Sequence, residues 1–327
     1  MRRRSLLLAV PAGLLTLAGC GDDKSDKAKT DESPSASAPE TSTKIVEGPL
    51  PAITAGTAFG QKPTVAKGPG KPSSDLAVKT LIPGKGQTVA KGDYLQFDYL
   101  GQIWDTAKVF DNSYDRKAPL TSAIGVGQLI PGWDRALPGK KVGSRVELAI
   151  PPALGYGSQG NPQGGIKGTD TLVFVVDIRG TFNGKSSAKG REVAQDNIDL
   201  PKIGTNTDGA APSIDVPKKP APKGLVAKYV LEGDGPVVKP TDKLLLQYKG
   251  VLWEGGKEFD SSYKGGQLAE FPLQSLIKGW QQGLAGKKAG SRVMLVVPPE
   301  LGYGDQASGD IPANSTLVFS LDILAVM

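Results

Sequence analysis

Histidine is absent from the 327-residue chain, and cysteine occurs once, at Cys20. The first absence removes Ser-His-Asp and Cys-His nucleophile systems, histidine zinc sites and imidazole acid–base chemistry. The second removes any disulfide framework. Charge of one sign is also scarce. Of the formal net charge of +6, half comes from Arg2, Arg3 and Arg4, ahead of an acid-free apolar run, which leaves about +3 for the rest. With no dense basic stripe, no nucleic-acid partner is expected. Chemistry must rest on carboxylates, hydroxyls, backbone groups or the shape of a pocket, and neither a metal nor a cofactor is implied.

The apolar run Leu6-Leu7-Leu8-Ala9-Val10 ends at Leu17-Ala18-Gly19-Cys20. A charged start, a short apolar segment and small residues before a cleavage point describe an export signal, too short to span a bilayer permanently. Its end resembles a bacterial lipobox, which implies removal of residues 1–19, diacylation of Cys20 and an extracytoplasmic protein held at the cell membrane by its lipid. Residues 20–49 are rich in Ser, Thr, Pro, Asp and Lys. They bury too little apolar surface to offset chain entropy and are expected to form a disordered tether. Residues 183–198 have a similar polar character and read as a linker, leaving folded blocks at 50–182 and 199–327.

The two blocks are copies. Leu76–Gly86 (LAVKTLIPGKG) matches Leu225–Gly235 (LVAKYVLEGDG), 149 positions later. All four tryptophans pair, Trp104 with Trp253 and Trp133 with Trp280. PGWDRALPGKKVGSRV pairs with KGWQQGLAGKKAGSRV, IPPALGYG with VPPELGYG, and KVFDNSYD with KEFDSSYK. The period is far longer than a solenoid repeat, so each copy should fold as a unit. Leu50-Pro51-Ala52-Ile53 and Leu200-Pro201-Lys202-Ile203 suggest an extended arm ahead of each core.

Within a copy the periodicity is that of strands. Leu95, Phe97 and Tyr99 alternate with polar neighbours; so do Val146, Leu148 and Ile150, and Leu172, Phe174, Val176 and Ile178 form a further face. Period two with one polar side predicts half-buried antiparallel strands. Trp133 and Leu137, closed by Pro138-Gly139, predict one short helix, and Trp280 to Leu284 repeats the pattern. The fold class expected is α+β: in each copy a curved antiparallel sheet wrapped around one short α-helix.

The ordered series Tyr-x-Gly, Phe-Asp-x-Ser, Ile-x-Gly-Trp, Val-Gly-Ser-Arg, Gly-Tyr-Gly and Thr-Leu-Val-Phe, spanning cores 76–180 and 225–326, resembles the FKBP family of peptidyl-prolyl cis-trans isomerases (rotamases). Variation between the copies does not disturb the order. The resemblance implies a proline-binding pocket in each copy. In the first, Tyr99, Phe110, Asp111, Ile130, Trp133, Tyr156 and Phe174 would act on the substrate. There Trp133 forms the floor, while the Tyr156 hydroxyl and Ile130 N–H meet substrate carbonyls. Leu120, Leu129 and Ile166 would complete the walls, and Arg116 would support Asp111 and Tyr99. In the second copy the matching residues are Tyr248, Phe259, Asp260, Ile277, Trp280, Tyr303 and Phe319, with Leu276 and Ile311. Two departures stand out: the arginine position is Gly265, and an aromatic wall position is Leu120 in one copy and Ala269 in the other. The second pocket is therefore expected to be the weaker.

The implied partners are proline-containing polypeptides and macrolide inhibitors such as tacrolimus or rapamycin. The implied role is assistance to the folding of exported proteins, by non-covalent stabilisation of the twisted amide in an apolar aromatic pocket. The alternative is a non-catalytic scaffold lipoprotein that uses the same domains as proline-binding adaptors.

Overall fold

The structure, a computed structural model, describes residues 44–327. The leader, Cys20 and the tether as far as residue 43 lie outside the described residues. The first domain contains β1 (Ile45–Val46), β2 (Ile53–Ala55), β3 (Thr64–Val65), β4 (Leu76–Ile82), β5 (Tyr94–Ile103), β6 (Val109–Asn112), α1 (Ser113–Arg116), β7 (Leu120–Ala123), α2 (Pro131–Ala136), β8 (Arg145–Ile150) and β9 (Leu172–Phe182). The second contains β10 (Arg191–Glu192), β11 (Lys202–Ile203), β12 (Ile214–Asp215), β13 (Val226–Glu232), β14 (Lys243–Leu252), β15 (Glu258–Ser261), β16 (Ala269–Pro272), α3 (Lys278–Leu284), β17 (Arg292–Val297) and β18 (Leu317–Val326). The main sheets run β1-β4-β8-β9-β5-β6 and β10-β13-β17-β18-β14-β15, with β7 on β5 and β16 on β14. The α+β class and the duplication are as the sequence indicates.

Long valine- and leucine-rich strands put their odd or even set on one face, and the short helix covers it. Leu95, Phe97, Val146, Leu148, Ile150, Val176 and Ile178 have no exposed surface and pack with Trp133, Ala136 and Leu137 around α2. Each such burial contributes about 1.5–3 kcal/mol. Pro131 starts the helix where its missing N–H costs nothing. Gly132 lets it approach the sheet, since a Cβ there would stand 2.6 Å from Ile150 Cγ2.

The strands are not half-buried, and this corrects the reading from periodicity. All of β8 is buried, as is most of β9. The polar set (Arg145, Glu147, Asp177) faces the arm, not water, because residues 50–70 cross the outer side of the sheet. Leu50, Ile53 and Val65 pack there on Trp104, Val173 and Val175. The Trp104 indole N–H donates to the Gly70 carbonyl at 2.9 Å, and Trp253 repeats this with Lys219 at 2.9 Å. Period two identifies the two faces of a strand, not what lies on each.

A buried ion pair fastens each arm. Arg145 donates to both oxygens of Asp177, at 2.7 and 2.6 Å, and to the carbonyls of Gly56 and Gln61 in the arm. Gly60 N–H donates back to Asp177 at 2.7 Å. In the second copy Arg292 binds Asp322 at 2.6 and 2.8 Å and the carbonyls of Gly204 and Asn206. All four side chains are fully buried.

The segments expected to be solvated at either end of the first domain are partly built in. Ile45–Val46, within the expected tether, pairs parallel with β4. In the expected linker, Ala188 is 1 % exposed and donates its N–H to Asp322 at 2.9 Å. Arg191–Glu192 pairs antiparallel with β13, and Gln195 exchanges two bonds with Ile203, at 2.9 and 2.8 Å. The domains also meet directly: Tyr94 and Phe182 pack on Leu245, Leu324 and Ala325. The Tyr94 hydroxyl donates to Glu270 at 2.7 Å. Burial and that carboxylate push the Tyr94 phenol up to about 12.

A second-domain fragment that begins at residue 183 is therefore expected to melt roughly 5–10 °C above one that begins at 199, since it keeps a charge-assisted bond to Asp322 and a short ladder. Thermal unfolding of the two fragments checks this, and equal midpoints would show that the segment adds nothing.

Candidate functional site

The pocket of the first domain lies between α2, the inner face of β5 and β9, and two loops. Its cavity is about 470 Å³ and is lined by Tyr99, Phe110, Asp111, Leu120, Gln128, Leu129, Ile130, Trp133, Tyr156, Asn161, Gly164, Ile166 and Phe174. The residues expected to form it are thus together, except Arg116, which stands behind the wall and braces it. Gln128, Asn161 and Gly164 were missed; none belongs to a motif that separates a lining residue from a loop residue.

The walls are edge-packed aromatics. Trp133 meets Phe174 at 4.8 Å (72°), Tyr99 at 5.3 Å (71°) and Phe97 at 5.0 Å (87°), and Phe110 meets Phe174 at 5.6 Å (82°). Such T-shaped contacts place ring edges against faces and fix the floor's orientation. The glycine of Tyr-x-Gly follows from this: a Cβ on Gly101 would stand 2.7 Å from both Phe110 and Phe174. Gly250 is equally crowded by Phe259, at 2.6 Å. The indole N–H groups of Trp133 and Trp280 are buried and find no acceptor among the described residues.

The repeated Phe-Asp-x-Ser-Tyr divides its labour across the sheet. Phe110 and Asp111 sit at the pocket. Ser113, fully buried, accepts the Tyr99 N–H at 2.9 Å and donates to Asp98 at 2.6 Å. Tyr114 turns to the opposite face and donates to Asp177 at 2.9 Å. Ser262 repeats the bond to the Tyr248 N–H at 2.9 Å. Ser113 and Tyr114 therefore position the loop rather than line the pocket, and only their recurrence in both copies marked them.

At the rim, Tyr99 donates to Asp111, and Arg116 donates to the same carboxylate and, at 2.9 Å, to the Tyr99 hydroxyl. Burial raises the Asp111 pKa, but the bonds from Tyr99 and Arg116 outweigh it and hold the carboxyl below its usual range. Burial first, and then Asp111, pushes the Tyr99 phenol up to about 12. The rim is therefore a fixed carboxylate with both partners committed. Ile130 lies at the head of α2; its carbonyl accepts from Trp133 and Asp134, while its own N–H has no partner among the described residues. Tyr156 lines the pocket and is 39 % exposed.

The second site keeps the scaffold: Trp280 meets Phe319 at 5.1 Å and Tyr248 at 5.4 Å, and Phe259 meets Phe319 at 5.6 Å. Asp260 accepts from Tyr248 at 2.7 Å and from the Ser261 N–H at 2.8 Å, with no arginine beside it. Ile277 again heads the helix, Ile311 is buried, and Leu276 and Ala269 are partly buried against the same core.

A mainly antiparallel sheet closed by one short helix over an aromatic pocket defines a class of domain built to bind a ligand through shape and a few hydrogen bonds. The sequence comparisons specify the family. The profile of FKBP-type peptidyl-prolyl cis-trans isomerases matches residues 85–179 and 235–324, and the chain belongs to that family, with two tandem domains. A probable FK506-binding protein of Corynebacterium glutamicum is 43 % identical over 114 residues, 35 % of this chain and 97 % of that protein. Peptidyl-prolyl cis-trans isomerase FKBP9 of Homo sapiens is 30 % identical over 244 residues, 74 % of this chain but 36 % of that protein. Among solved structures, FkpA from Escherichia coli is 46 % identical over 32 % of this chain and 48 % of its own, with a TM-score of 0.30.

Replacing Arg116 with Gly, the residue of the second copy, removes one of the bonds holding Asp111 down, alongside those from Tyr99 and the Asn112 N–H, so its titration should move upward. A carboxyl with a depressed folded pKa stabilises the protein above its unfolded pKa of about 3.9, and that contribution fades as pH falls through the folded value. The variant should therefore lose stability near neutrality by less than about 1 kcal/mol, as the pair is half exposed. Carboxyl-detected NMR titration reads the shift; an unmoved Asp111 would assign its ionisation to Tyr99 and the Asn112 N–H rather than to Arg116.

Proposed function

We propose that the first pocket binds X-Pro segments with the proline ring over Trp133 and the substrate carbonyls at the Ile130 N–H and the Tyr156 hydroxyl. The observation that carries this is the joint lining of one cavity by Tyr99, Phe110, Ile130, Trp133, Tyr156 and Phe174. An X-Pro bond crosses a barrier of about 18–20 kcal/mol when it rotates. Twisting the amide breaks its resonance, so charge separation between nitrogen and oxygen falls toward the transition state. A dry aromatic cavity favours the twisted form over the planar, more polar one, which is differential binding in its simplest form. Asp111, held ionised, supplies the directed polar contact at the rim. The same walls suit macrolide inhibitors such as tacrolimus or rapamycin.

The second pocket is proposed to turn over more slowly, with Gly265 in place of the bracing arginine and Ala269 shortening one wall. In a chain whose second pocket carries Phe259→Ala, adding Phe110→Ala or Asp111→Leu should lower the remaining isomerase rate at least roughly tenfold, about 1.4 kcal/mol of transition-state binding. Phe110 is half-buried, so its truncation should cost much less stability than the ~3–5 kcal/mol of a core phenylalanine. A protease-coupled assay on a Phe-Pro peptide with a thermal midpoint reads both. A collapsed midpoint for Phe110→Ala would return that residue to the core, and full activity in both variants would remove the site assignment. Phe259→Ala by itself should remove less than half the activity.

We further propose that the substrates are exported proteins and that the enzyme is anchored outside the membrane by acyl chains on Cys20. The support is the lipobox-like Leu17-Ala18-Gly19-Cys20 behind a charged, apolar leader. Each buried CH₂ contributes about 0.8 kcal/mol, so two or more chains are needed for stable anchoring. Cys20→Ala should shift the protein out of the membrane fraction; unchanged partitioning would defeat the proposal.

A further inference from the structure

The two copies differ sharply at one place on the outer face of the sheet. In the second, Met294 lies under the arm, buried with Ala188, Ile203, Val230 and Leu231. In the first, the same position is Glu147, 3 % exposed, and its Oε1 has no hydrogen-bond partner among the described residues. The side chain lines a cleft of about 450 Å³ between the arm and β4, whose apolar sides include Leu50, Ile53, Leu81 and Ile82.

An uncompensated buried carboxylate is costly and is seldom kept without a partner. Lys79 stands opposite Glu147 in the ladder and lines the same cleft, but it stays exposed and closes no ion pair with Glu147. Its counterpart Lys228 stands opposite Met294, so a lysine occupies this edge whether or not a carboxyl faces it. The other charges near Glu147 are committed: Arg145, two residues back on β8, is taken by Asp177 on β9. The arm brings only Leu50, Pro51, Ala52, Ile53 and Thr57 to the cleft, none titratable.

We propose that this cleft binds the lysine side chain of an extended polypeptide, its methylene stem along Leu50, Ile53 and Ile82 and its ammonium on Glu147. A lysine stem buries along apolar surface while its head seeks charge. With one oxygen of Glu147 sealed, a compact ammonium suits the site better than the two-pronged guanidinium of arginine. Burial, offset only in part by Lys79, pushes the Glu147 carboxyl up to about 7. Binding a cation must therefore expel a proton from part of the population, and affinity should grow with pH across neutrality. The polypeptide source of the lysine rests on the family's substrate class; the cleft itself does not depend on the proline pocket.

The test titrates the full mature chain with a blocked, proline-free Ala-Ala-Lys-Ala-Ala peptide, its norleucine counterpart and n-pentylammonium, read by calorimetry and by the Glu147 carboxyl resonance. The lysine peptide should bind at least roughly tenfold more tightly than the norleucine peptide. Its affinity should rise from about pH 6 to about pH 8 and it should pull the Glu147 titration downward. Phe110→Ala should leave this binding unchanged, Lys79→Met should strengthen it, and Glu147→Met should abolish it. Glu147→Met carries the residue of the sister copy and should fold. Because the raised carboxyl stabilises the fold only while protonated and loses that contribution between its unfolded pKa of about 4.5 and about 7, this variant should also melt higher than the parent at alkaline pH. Equal binding of the two peptides, or binding that survives Glu147→Met, would overturn the proposal. Pentylammonium binding as tightly as the peptide would reassign the cleft to free amines, and no binding by any probe would leave Glu147 as a pH-dependent weakness of the arm alone.

Discussion

The central strands of each main sheet are buried on both faces, and that constraint places a charged pair where water cannot reach it. Removing Arg145 and Asp177 from water costs several kcal/mol per ion, recovered only by bidentate geometry and by satisfying the remaining donors and lone pairs. The arm supplies those groups: the carbonyls of Gly56 and Gln61 and the N–H of Gly60. The arm is thus required by the electrostatics of the sheet beneath it. Without it the pair would be half satisfied, which is worse than an apolar core.

The same pair reaches the pocket through the loop at residues 110–116. Tyr114 binds Asp177 on the outer face, Ser113 binds β5 at the sheet's edge, and Phe110 and Asp111 emerge on the inner face. The loop is held from both sides, so the pocket wall inherits the rigidity of the sheet. A catalyst that works by shape and dryness depends on such support, since a wall that moves admits water and loses the preference for the twisted amide.

Duplication lets each copy serve as a control for the other. Trp133 and Trp280 keep their tyrosine and phenylalanine neighbours, Gly101 and Gly250 their crowding, and Arg145–Asp177 and Arg292–Asp322 their bidentate pairing, and these residues define the shared scaffold. Arg116 against Gly265, Leu120 against Ala269 and Glu147 against Met294 change the rim, one wall and the outer seam. These changes lie at the rim and wall of the pocket and beneath the arm, outside the contacts that the two copies share.

The sequence by itself determined the class, the duplication, the helix at Trp133 and nearly all of the pocket lining, because period two, an apolar pair four residues apart closed by Pro-Gly and an ordered aromatic series are local or repeated signals. Arg116 was also legible as a brace. Only the tertiary structure decided that the polar faces of β8 and β9 are buried, that Ile45–Val46 and Ala188 belong to the folded body, and that Ser113 and Tyr114 hold the loop from opposite sides. Those facts depend on which surface a distant segment covers: Arg145 reads as a solvent-facing residue until an arm some 90 residues earlier, at Gly56, is laid across it. Strand periodicity encodes the alternation of side chains, but burial is set by long-range packing, which no local pattern contains.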